Sequence, residues 1–148
     1  MEIETQYRLH GQMSQSSSYL LQFLAGLRRY KENERKEIVD QFVTEDGLKF
    51  IRFSIQALDK KPAPYDVTLV YDKIIADQMP PLKAEDLRNE LTKLNEVILS
   101  IKGGHKPRVD EVDSVLQFLA TVIPEMDSAM ADLGKKLYGS WIDVREGT

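Results

Sequence analysis

VDSVLQFLATVIPEMDSAMADLGKKL, residues 112–137, decides the fold class. Val112, Leu116, Leu119, Ile123, Met126, Met130, Leu133 and Leu137 recur at alternating steps of four and three. Such steps keep side chains on one face of an α-helix, so the stretch reads as one long helix with a buried seam. Val115, Val122 and Ala129 add a second apolar row. A face that wide suits the inner wall of a bundle better than a two-in-seven coiled-coil seam. Pro124 falls on the opposite side, where its missing amide faces water. The stripe keeps its phase through Pro124, which predicts one kinked helix rather than a break at Ile123.

Moving back along the chain, Leu87, Leu91, Leu94, Ile98 and Ile101 obey the same rule. Glu85 and Asp86 open that helix, Lys102 closes it, and Gly103 stands where a left-handed C-cap is wanted. Gly104 to Pro107 then connects to the long helix, which starts near Val109 or Asp110. Pro80-Pro81 and Lys60-Lys61-Pro62-Ala63-Pro64 are breaks, because proline lacks the amide and restricts the residue before it. Between them, Val67, Val70, Tyr71 and Ile74 predict a helix from Asp66 to about Gln78.

Residues 48–58 carry two stripes, Leu48-Ile51-Ile55-Leu58 and Phe50-Phe53-Ala57, which predict a helix central in the core. Thr44-Glu45-Asp46-Gly47 reads as its capped start. Residues 33–43 form a further segment with Ile38, Phe42 and Val43 on one side. Leu20, Phe23, Leu24 and Leu27 mark a first helix from Tyr19 to Lys31, with Ser16, Ser17 or Ser18 as its cap and Arg28, Arg29 and Lys31 at its negative end.

The chain ends read differently. Ile3, Thr5, Tyr7 and Leu9 alternate with polar residues, a strand period, and Gly11 to Ser18 reads as a loop. Trp141 to Arg145 also reads as extended. Residues 1–16 are therefore expected to form an extended or flexible arm and 140–148 a tail. The sum is an all-α, single-domain bundle of about six helices over residues 1–148, with short extended terminal segments. No fixed repeat of a solenoid is present.

At 148 residues the chain needs no covalent staples, and it contains no cysteine, which excludes disulfides, thiolate metal sites and cysteine nucleophiles. The net charge of −4 argues against bulk binding of nucleic acid or anionic membranes. No apolar run is long enough to span a bilayer, and Met-Glu-Ile-Glu does not resemble a secretory signal, so a cytoplasmic protein is expected.

Three clusters are candidates for function. Lys102, His105, Lys106 and Arg108 surround Gly103-Gly104 before a helix start, where cations and free amides can hold a phosphate or nucleic acid; Asp110 and Glu111 oppose that. Glu34, Glu37 and Asp40 step by three, which would set carboxylates on one helix face for a hard cation and a metal-dependent hydrolase. Phe118 and Leu99 point away from their seams and are candidates for partner contact. His10 and His105 each stand alone in a polar loop and are expected to be solvent-exposed, not ligands. No nucleophile elbow, dinucleotide fingerprint or phosphate loop occurs. The expected function is a non-enzymatic interaction or assembly module without cofactor, metal or membrane, whose partner is another protein or a second copy of itself.

Overall fold

The computed structural model describes residues 3–59 and 84–146. Among them are five helices and no strand: α1 (Ile3–Asn33), α2 (Lys36–Phe42), α3 (Glu45–Asp59), α4 (Ala84–Lys102) and α5 (Val109–Glu146). The helix expected at 66–78 lies outside the described residues. The all-α class holds, and the architecture rests on one long antiparallel pair, α1 against α5.

Four contacts set the register of that pair. Tyr7 meets Tyr138 edge to face at 5.3 Å. His10 overlies Gly134, where a Cβ would come within 3.1 Å of its Nε2. The Ser17 hydroxyl donates to Asp127 Oδ1 at 2.6 Å, and Lys31 pairs with Asp113 at 2.6 Å. As the α1 position climbs from 7 to 31, its partner descends from 138 to 113, so the helices run antiparallel over about 36 Å at the usual rise per residue.

This register overturns the extended reading of the termini. α1 is a single 31-residue helix that begins at Ile3, and α5 is a 38-residue helix that continues to Glu146. Gly11 to Ser18 is helical rather than a loop, and Ser16 and Ser17 are buried mid-helix instead of capping. The physical reason lies in α5. A strand at 2–9 would leave its backbone groups unpaired, whereas a helix satisfies its own and lays side chains along a ready partner. The helical stripe through this region, Tyr7, His10, Met13, Ser17, Leu20, was obscured because two of its members are polar. Serine at 16 and 17 is small enough to sit between two helices, and the Ser17 hydroxyl finds its acceptor on α5.

α5 runs unbroken through Pro124, which is exposed as expected. Its most buried row is shifted from the eight-residue stripe. Val112, Val115, Leu119, Val122, Ile123, Met126 and Ala129 are buried, while Leu116, Met130, Leu133 and Leu137 are only partly covered. The wall is thus shifted toward the valine row: Val112, Leu119 and Met126 lie at its centre, Val115, Val122 and Ala129 on one flank, and Leu116 and Met130 on its partly covered edge.

The remaining helices cover the half of the pair that holds the α1 C-terminus. α2 lies so close that a Cβ at Gly26 would stand 3.0 Å from Phe42 Cβ, and the Arg29 guanidinium covers the Phe42 ring at 5.2 Å. α3 starts as expected: the Gly47 amide donates to Thr44 Oγ1 at 3.2 Å. It is not central in the core. Leu48 and Ile51 are buried, yet Phe53 is 51% exposed and Phe50 half covered, because α3 rests on α4 and touches α1 only along one edge. α4 buries all five residues of its stripe.

The α4 terminus corrects the expectation by one residue. Gly104, not Gly103, takes the left-handed conformation, with φ of 85°. The His105 amide donates to Ser100 O at 2.9 Å and the Gly104 amide to Ile101 O at 3.0 Å. These paired bonds satisfy the last free carbonyls of the helix.

Candidate functional site

Glu34 follows α1 and Lys106 follows α4; the fold sets these two links side by side. Glu34 itself takes φ of 55°, and its amide donates to Tyr30 O at 2.6 Å. A left-handed residue is needed there to turn the chain out of α1, and here it is not a glycine. The turn aims the Glu34 carboxylate at the basic loop, where Lys106 Nζ lies 2.7 Å from Oε2. Lys102 Nζ pairs with Asp40 at 3.2 Å, and Lys36 Nζ donates to the Lys102 carbonyl at 3.3 Å. Arg108 turns the other way and meets Asp110 at 3.3 Å and Glu111 at 3.2 Å at the start of α5.

The two charged candidates thus face each other. Glu34 is in the α1–α2 link, not on the α2 helix, so the step of three does not gather the carboxylates on one face. Glu34 and Asp40 are held by lysines. Glu37 lies with Glu34, Arg35, His105 and Lys106 on an open cleft of about 330 Å³. Among the described residues no group of three or more histidine or acidic side chains is placed to hold a metal ion. Lys106 titrates above the usual lysine range, first because of its hydrogen bond to Glu34 and then because of that carboxylate's charge. A lysine, a second lysine and an arginine that already face acids have little charge left for a phosphate. His105 is exposed as expected, but His10 is not in a loop: it sits half-buried on α1 against the Tyr138 ring at 5.6 Å.

The two apolar candidates separate. Leu99 is exposed, whereas Phe118 is partly buried against the core. A different surface gathers aromatic groups. Where α3 leaves α1, a groove of about 710 Å³ opens, lined by Gln15, Tyr19, Asp46, Lys49, Phe50, Arg52, Phe53 and Gln56. Tyr19 and Phe50 stack across it, centroids 5.1 Å apart and planes 25° from parallel. Sequence reading missed this groove. Its only signal was the second stripe of α3, Phe50 and Phe53, which fits a buried wall equally well.

No known protein family, curated protein or solved structure matches the chain. The groove and the charged junction therefore have to be read from their own chemistry. Among the described residues no helix is long and apolar enough to cross a membrane.

Proposed function

We propose that the protein is a non-enzymatic interaction module that seats an apolar or aromatic segment of a protein partner in the groove between α1 and α3. The observation that carries this reading is the exposed Phe53 beside the stacked Tyr19–Phe50 pair, with Lys49 and Arg52 at the rim. Aromatic and arginine side chains are enriched where proteins bind one another, and a few such groups supply most of the affinity. A chain without cysteine suits the cytoplasm.

The test is site-specific photo-crosslinking of the intact chain in the cells that make it. A photoreactive residue replacing Phe53 is expected to give one discrete protein adduct, and the same residue replacing the exposed Thr121 on α5 none. Equal labelling from both positions, or none from 53, overturns the reading.

A further inference from the structure

We infer that the end of the molecule built from the α1 N-terminus and the α5 C-terminus is a self-association surface, on which two copies of this chain combine their helix pairs into a four-helix bundle. The argument begins with burial. On α1 the first fully buried position is Met13, and on α5 the last buried one is Ala129. Beyond both, the register contacts continue to Tyr7 and Tyr138, yet no residue of the described side chains is buried. The helices α2 and α3 contact α1 from the other side of this boundary, through Gly26, Phe23 and Tyr19.

Among the described residues no third helix covers this end, and two helices alone bury one seam and leave their flanks open. Here the flank is apolar. Tyr7 and Tyr138 touch edge to face while both remain exposed, and Ile3, one turn from Tyr7 on the same face, is 62% exposed. Leu133 and Leu137, on the same stretch of α5, are only partly covered, and the Tyr7 hydroxyl reaches the Leu137 carbonyl. A contiguous patch of this kind marks an interface.

Charge selects the occupant. This end, where α1 starts at Ile3 and α5 finishes at Glu146, carries Glu4, Asp132, Asp143 and Glu146 against Arg8, Lys135, Lys136 and Arg145, so it is balanced in a chain of net charge −4. Two copies that meet at this balanced end face no net repulsion there, and the mixed signs let each copy set unlike charges against the other. A two-fold pairing of one patch with itself is the commonest closed assembly, and four antiparallel helices give each seam the cover it lacks. This surface is separate from the α1/α3 groove, and neither reading rests on the other.

Sedimentation velocity of the full chain up to about 100 μM tests it. The expected species has twice the 17.0 kDa chain mass. Ile3→Arg, exposed and outside the register contacts, is expected to weaken the dimer by about tenfold or more, as a charge placed in an interface core does, while circular dichroism stays unchanged. Phe53→Glu, in the groove, is expected to leave the dimer intact. The absence of native cysteine adds a check that needs no loss of fold: Tyr138→Cys should oxidise to a covalent dimer and Thr121→Cys should not. A chain that remains at 17.0 kDa throughout, whether or not it binds anionic vesicles or another protein, overturns the inference. So does a dimer indifferent to Ile3→Arg.

Discussion

The two ends of the α1–α5 pair share a register and a helix type but differ in what covers them. At one end Phe23 and Leu27 are fully buried, with α2, α3 and α4 around the pair. At the other, Tyr138 meets the rings of Tyr7 and His10, and the Tyr7 hydroxyl donates to Leu137 O at 3.4 Å. The difference teaches that helix formation and core formation are separate events here. Register is carried the full length by side chains that meet across two helices, while burial requires a third layer.

The largest expected effect separates the ends directly. Phe23→Ala should cost about 3–5 kcal/mol, because it opens a cavity in a site that cannot collapse. Leu133→Ala, at partial cover, should cost about 1 kcal/mol or less at protein concentrations too dilute for association. Urea unfolding measures both, and equal losses would break the comparison. Next comes the boundary between the ends. Asp127→Ala strands the buried Ser17 hydroxyl and should cost about 1–3 kcal/mol, whereas Ser17→Ala, which removes the donor, should cost less.

Glu34→Gly tests the covered end in the opposite direction. A side chain at positive φ is strained by about 1–2 kcal/mol, so glycine should raise stability by about 1 kcal/mol despite loss of the Lys106 pair. No gain in thermal midpoint would show that the ion pair matters more than the strain. The smallest effect is that of Lys106→Met. Its partner raises the lysine pKa, so the pair stabilises the fold at neutral pH and that contribution disappears as pH rises through the raised value. Thermal midpoints of wild type and variant should differ slightly at neutral pH and low salt, and converge at high pH or high salt. A difference that persists in alkali would mean that the stem, not the charge, carries it.

The candidate sites were legible in the sequence as residues but not as a site. Lys106 and Glu34 are separated by 72 positions, and each looked like a ligand for something outside the protein until the fold placed one opposite the other. Phe118 looked outward by helical phase, yet helical phase gives only a direction from one axis; the structure partly buries it. Phe53 belonged to a stripe that predicted burial, and it is exposed because, among the described residues, no helix covers that side of α3.

Sequence alone determined the helical class, the start of α3 at Thr44, the five-residue wall of α4 and the passage of α5 through Pro124, since each follows from spacing and capping within one turn or a few. The tertiary structure decided that residues 3–18 are helical, that the buried wall of α5 is shifted toward its valine row, and that the acidic and basic clusters neutralise each other. Those outcomes depend on which helix lies beside which. Local periodicity reports only how a segment faces its own axis, and the partner that rewards one conformation over another lies about a hundred residues away in the chain.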